Sequence, residues 1–317
     1  MTTAVTRSDA SVRFRAMATD VNVQVVHPRA SAASALARAE DLFHRVERAC
    51  TRFDAESPLM LANAFPREWH VVPDVLFAAV SEAARAHRET DGSFDPRVLR
   101  TLTAYGYDRS LPFAAGGVDV EAGDERPTAA RGSWRPGLDD ARASIRIGRD
   151  PIDLGGIGKG LAVRWAAAEL GDAGRGFLIE AGGDCYASGA SPDADGWRIG
   201  VEDPTGGPVP LAVLDATDTG VATSSIRLRK WRAGGKSVHH LIDPRTGEAA
   251  ETGLLAVTVL GPDPAWAEVW SKSLFLAGRG AMRHLADDKG LAALWVDEDG
   301  FVGTSRAMKP RVLWTRD

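Results

Sequence analysis

The chain opens on a period-two pattern. Between Val12 and Val26, the apolar residues Phe14, Met17, Val21, Val23 and Val25 predict strand structure, interrupted at Met17-Ala18-Thr19-Asp20. From Ser31 the spacing changes to three and four. Leu36, Ala39, Leu42, Val46 and Ala49 fall on one helical face, with Ser31 as the expected N-cap. Pro73 and Asp74 open a second helix, with Leu76, Ala79, Val80 and Ala83 on one side and a stop before Asp91-Gly92. Ile145 and Ile147 flank a short strand. An Ala-rich helix is expected over 161–170, halted by Gly171 and Gly174. Strands then dominate, at 177–179, 197–201, 211–214, 220–223, 238–242 and 254–260. A last helix is expected over 264–276, and a hairpin across Asp299-Gly300 joins 291–296 to 301–304. Strands outnumber helices and do not alternate strictly with them. The pattern predicts an α+β fold, with mixed or antiparallel sheets and packed helices.

Composition narrows the function more than the fold. The 317 residues read as one domain over 1–317, with room for two closely packed subdomains. Residues 112–136 are rich in Gly, Pro, Ala and charge and are expected to be a flexible insertion. The net charge of −5 argues against a nucleic-acid binder that works by neutralising phosphates. Cys50 and Cys185 are too few for a zinc site and read as two reduced, packed thiols rather than one bridge. The N-terminus lacks an apolar signal region, and no stretch of about 18 apolar residues occurs. The expectation is a cytoplasmic protein with no membrane partner.

Four segments carry candidate chemistry. Ile152-Asp-Leu-Gly-Gly-Ile-Gly-Lys-Gly160 is not a Walker A loop: Asp153 holds the first glycine position and Gly160 the Ser/Thr position. Nor is it a dinucleotide fingerprint, because Leu161 holds the third glycine position. What remains is exposed backbone at a helix start beside Lys159, a plausible anion site or a structural turn. Glu180-Ala-Gly-Gly-Asp184 follows a short apolar strand and reads as a tight turn or a close-approach point. Val238-His-His-Leu-Ile-Asp-Pro-Arg-Thr-Gly247 holds adjacent histidines. On a strand these face opposite ways, so only one can serve a given site. Gly92-Ser-Phe-Asp-Pro96 is a turn with a buried aromatic.

The order of these segments is more specific than any one of them. D-L-G-G-I-x-K-G at 153–160 and H-x-I-D-P-x-T-G at 240–247, with G-S-F-D-P before them and L-F-L-A-G after, resemble the ApbE family of FAD:protein FMN transferases over about 13–278. The resemblance implies an ApbE-like fold. It implies transfer of the FMN half of FAD to a Thr or Ser hydroxyl of an acceptor flavoprotein, with release of AMP, and a need for magnesium. It places Met17 and Phe53 near the flavin. Ser93, Phe94 and Asp95 would line the FAD site, Asp153 and Lys159 would bind the cofactor, and the Gly156 carbonyl would face the metal. His240 becomes a catalytic or pyrophosphate-contacting group, with Ile242 beside it. A protein that only binds FAD, and a hydrolase yielding FMN and AMP, remain the alternatives.

The late helix departs from the family pattern. Where the family carries A-D-A-x-x-T-A-L-F, with Asp and Thr on magnesium, this chain has A-E-V-W-S-K-S-L-F at 267–275. Glu268 can still offer oxygen to a metal, whereas Lys272 has only donors. Three readings follow. Lys272 supplies the positive charge itself, paired with Glu268 at i and i+4; or metal and catalysis are both lost; or the helix register differs and other residues bind metal. Trp266 and Trp270, also at i and i+4, either extend an apolar stacking surface or simply pack.

Overall fold

A computed structural model describes residues 9–113, 117–123, 127–130, 132–194 and 196–316. Its centre is an eight-stranded sheet. In spatial order the strands are Ala10–Ala16, Thr19–Val26, Gly176–Ala181, Asp184–Gly189, Thr219–Ser225, Leu254–Gly261, Ala292–Asp297 and Val302–Thr304. Every neighbouring pair is antiparallel. The α+β reading holds, and the large sheet is purely antiparallel.

Six α-helices occur among the described residues: α1 (Ala32–Cys50), α2 (Pro58–Ala64), α3 (Asp74–Glu89), α4 (Leu99–Ala104), α5 (Gly158–Leu170) and α6 (Pro264–Asp288). Helix α1 packs on α5, α5 on α6, and α6 on strands 219–225 and 254–261. The sheet buries both faces, and strand alternation decides which residue goes where. Phe177 and Ile179 pack with the α1, α3 and α5 side chains, while Leu178 between them points to the other face. There it meets a cluster that includes Trp197, Leu214 and Met308, built largely on the small sheet of Arg198–Val201, Ala212–Asp215 and Val312–Thr315.

Several expectations are corrected. Ser31 is itself helical (φ −75°, ψ −11°), and its hydroxyl donates to the Asp172 carbonyl instead of capping α1. Helix α5 starts at Gly158, so Lys159 lies in its first turn rather than in a preceding loop. Helix α6 continues to Asp288 through a break at Gly278 (φ 76°, ψ 166°), a conformation that glycine tolerates. The strand expected over 238–242 is two pieces, Lys236–His239 and Ile242–Asp243, with His240 and Leu241 between them. The hairpin at Asp299-Gly300 forms, with Asp297 accepting the Asp299 and Phe301 amides, but it does not close the chain.

Part of the expected insertion, at 114–116, 124–126 and 131, lies outside the described residues. Elsewhere in it, Asp119–Val120 pairs in parallel with Lys230–Ala233, and Trp134 is buried with its indole N–H on the Ile147 carbonyl. Both cysteines are free and buried, and burial raises each thiol pKa to about 12. Among the described residues no helix is long and apolar enough to cross a membrane.

Candidate functional site

Five segments make most of the wall of a cavity of about 570 Å³, which Tyr107 and Arg229 also line. They are the 17–18 turn, the end of α1 with 51–53, the 93–98 loop, the 153–159 segment, and 240–242 beside α6. Met17, Phe53, Ser93, Phe94, Asp95, Asp153, Gly156, Lys159, His240, Ile242 and Lys272 all line it. Glu268 does not reach the surface of the cavity. It is buried beneath, where Lys159 and Lys272 both contact it.

Each segment has a local reason for its shape. The hairpin between the first two strands turns on Met17 (φ 53°) and Ala18 (φ 58°), a left-handed pair that non-glycine residues rarely adopt. The Met17 amide donates to Glu47 Oε1 at 2.7 Å, which holds this strained turn to α1. A β-carbon on Gly158 would sit 3.3 Å from Met17 Cε, so the methionine lies over the start of α5. Asp153 accepts from the Gly155 amide at 3.2 Å, folding the glycine run back on itself. Its own amide donates to the Pro96 carbonyl at 2.7 Å and ties that run to the 93–98 loop.

One wall is aromatic. The Arg52 guanidinium lies 4.2 Å from the ring centroids of both Phe53 and Tyr107. The same guanidinium donates to the Tyr107 carbonyl and pairs with Asp153 at 3.6 Å. Phe53 stays partly exposed, while Phe94 is buried. Asp95 is already committed: Arg97 binds it in a fork, with His87 Nδ1 at 3.5 Å. The Ser93 hydroxyl donates to the Thr90 carbonyl.

Another part of the lining is charged. Lys159 Nζ donates to Asp184 and, at 3.1 Å, to Glu268 Oε1. Lys272 Nζ donates to the same Oε1 at 3.1 Å. The Gly160 amide takes Glu268 Oε2 at 2.8 Å. Burial alone would raise the Glu268 pKa, but the two ammonium groups and the Gly160 amide outweigh it and hold it down at about 2. Burial likewise opposes the Lys159 charge, yet Asp184 and Glu268 keep its pKa above the usual lysine value. Burial pushes the Asp184 carboxyl up against the pull of Lys159, and Glu268 adds to the rise.

The two histidines face different ways. His239 is buried, with Nε2 on the Ala250 carbonyl and its ring edge-on to Phe275. His240 lines the cavity, and its buried Nδ1 has no hydrogen-bond partner among the described residues. Burial, then Arg229 and Lys272, push its pKa well below the ordinary histidine value, so it is neutral at pH 7.

The donor set does not fit a magnesium ion as arranged. Magnesium takes oxygen ligands. Both Glu268 oxygens already accept from N–H donors, and the residue one helical turn on is a lysine. Sequence reasoning missed three participants. Asp184 closes the Gly182-Gly183 turn and read only as part of a tight turn. Arg229 lies in a connection without periodicity. Arg52 sits beside the aromatic that drew notice. Trp266 and Trp270 do not line the cavity; Trp266 stacks with Arg85 at 4.7 Å.

An antiparallel sheet with this cavity at its helical edge defines a known class. The model described as ApbE family matches residues 17–295, and the chain belongs to that family. The FAD:protein FMN transferase of Treponema pallidum is 27% identical over 309 residues, covering 92% of this chain and 85% of that protein. The FAD:protein FMN transferase of Klebsiella pneumoniae is 26% identical over 270 residues, covering 80% and 74%. The crystal structure of the ApbE protein of Thermotoga maritima superposes with a TM-score of 0.82 at 26% identity, covering 98% of this chain and all of that one. The apo flavinyl transferase ApbE of Pseudomonas stutzeri shares the fold, with a TM-score of 0.78 at 21% identity, covering 96% and 98%.

Proposed function

We propose that this protein transfers the FMN half of FAD to a Thr or Ser hydroxyl of an acceptor flavoprotein and releases AMP. One observation carries the reading: a single cavity is lined both by apolar and aromatic side chains, Met17, Phe53, Phe94 and Tyr107, and by the cations Lys159, Arg229 and Lys272. A flavin ring suits the first and a pyrophosphate the second. The names of the family relatives support the same reaction.

In this reading the acceptor oxygen attacks the phosphorus of the FMN half. The bond from that phosphorus to the bridging oxygen breaks, and its electron pair leaves with AMP. The hydroxyl proton passes to His240, whose ring is neutral and whose Nδ1 has no partner among the described residues, and then to the AMP phosphate. Lys159 and the backbone of 155–156 hold the pyrophosphate, while Asp153 shapes that backbone. Asp95 and Ser93 act as supports, because their polar atoms are already bonded within the protein.

The test is incubation of the purified chain with FAD, with and without an acceptor bearing a flavinylation threonine. AMP release matched by a gain of FMN mass on the acceptor is expected. AMP formed at the same rate without acceptor would make it a hydrolase, and bound FAD without AMP would make it a binding protein.

A further inference from the structure

The mismatch between this site and a metal ion has a constructive side. We propose that Lys272 and Arg229 form a built-in cationic clamp for the pyrophosphate, so that the reaction proceeds without a divalent metal. This inference rests on the FMN-transfer reading.

The position of Lys272 is the first support. A β-carbon on Gly156 would lie 3.5 and 3.6 Å from Lys272 Cδ and Cε, and 3.1 Å from Phe94 on another side. The lysine stem therefore runs along the Gly156 backbone. Its ammonium ends on Glu268 at the junction of Gly156, Glu268 and the cavity. An ammonium has three donors. One is used on Glu268, which leaves donors for phosphate oxygens. The stem is packed and the head is tethered, so little freedom is lost on binding.

The charge balance is the second support. Lys159 and Lys272 are matched by Asp184 and Glu268. Arg52 is matched by Asp153. Arg229 lines the same cavity with no carboxylate partner among the described residues. Arg229 thus adds a positive charge that no carboxylate of the Lys159–Asp184–Glu268–Lys272 cluster offsets, suited to an anion and hostile to a dication. When the phosphorus–oxygen bond breaks, the electron pair left on the AMP phosphate lies within reach of donors already in place. No further cation has to be recruited.

The experiment follows FAD turnover with acceptor, and FAD affinity by flavin fluorescence, each in magnesium and in EDTA. It uses the full chain and the variants Lys272→Met and Arg229→Gln. Turnover and affinity within twofold in the two media are expected. Each variant should lose tenfold or more in affinity, with no recovery in magnesium. A tenfold or greater gain from magnesium in the unmodified protein overturns the clamp, as does undiminished affinity in both variants. If FAD binds and no AMP appears in any condition, the transferase reading fails. The affinity measurements then judge the clamp alone: metal-independent, variant-sensitive binding sustains it, and any other result refutes it. Arg229 is only partly buried, so Arg229→Gln remains informative if Lys272→Met does not fold.

Discussion

Gly160→Ala tests whether the site depends on how closely α5 approaches α6. A β-carbon there would lie 2.6 Å from Ala265 Cα, 2.7 Å from the Pro264 carbonyl oxygen and 3.0 Å from the Ala265 amide nitrogen. Ordinary carbon contacts are about 3.5–4.0 Å, so the helices must part by about 1 Å. The obstructing atoms are backbone and cannot rotate away. Overpacking of this kind costs about 2 kcal/mol. Parting the helices also stretches the Gly160 amide from Glu268, a bond to a charged group worth about 1.5–3 kcal/mol. Alanine recovers about 1 kcal/mol of helix propensity. The net expectation is a loss of about 3 kcal/mol. With about 2 cal/mol/K of unfolding entropy per residue, that lowers Tm by about 4–5 °C. Thermal melting followed by circular dichroism reads the loss, and flavin fluorescence reads the accompanying fall in FAD affinity. Gly280→Ala is the control. It lies in α6 with open space around its β-carbon position, and should be neutral or stabilise by up to about 1 kcal/mol. A Gly160→Ala protein that melts at or above the unmodified one would refute the close-approach argument.

Three further outcomes follow from the same geometry. His240→Ala should lower transfer by about 10²–10⁴-fold. Because the His240 pKa lies well below its ordinary value, activity of the unmodified protein should show no inflection between pH 6 and 7 and should fall only at lower pH; a rate that halves near pH 6.5 would exclude this role. Phe53→Ala removes one plate of the arginine sandwich and should weaken FAD binding by about 1 kcal/mol, measured as a roughly fivefold rise in Kd. Glu268 has its folded pKa depressed from 4.5 to about 2, so it stabilises the fold above pH 4.5 and loses that contribution as pH falls towards 2. The contribution is about 3 kcal/mol, and Glu268→Gln should be less stable by urea titration at pH 6, with the deficit shrinking towards pH 2; a pH-independent deficit would contradict it.

The cavity wall was legible only in part. The glycine run at 155–160 reads as exposed backbone at a helix start, whereas its folding by Asp153 and the close passage of α6 at Gly160 emerge only from the structure. His239 and His240 do face different ways, as strand alternation predicts, but the cause differs: the strand ends at His239 and His240 lies in the break before Ile242. The Glu268–Lys272 pair was legible from helical spacing alone. The elements that escaped were short or lacked a period: α2 has seven residues and α4 has six, each too brief for amphipathic recurrence.

Asp184 escaped for a different reason. It is the first residue of a strand paired between 176–181 and 219–225, and nothing in its neighbours marks it as charged and buried. Its partner Lys159 stands 25 residues away along the chain, and Glu268 stands 109 away from that lysine. Each residue alone would be costly in the interior; together they satisfy one another. Such a cluster exists only when three elements arrive at one place, so its sign cannot be summed from local sequence. Here the buried members cancel and Arg229, outside every motif, sets the balance. The function of the charged lining therefore turns on the residue that sequence pattern marks least.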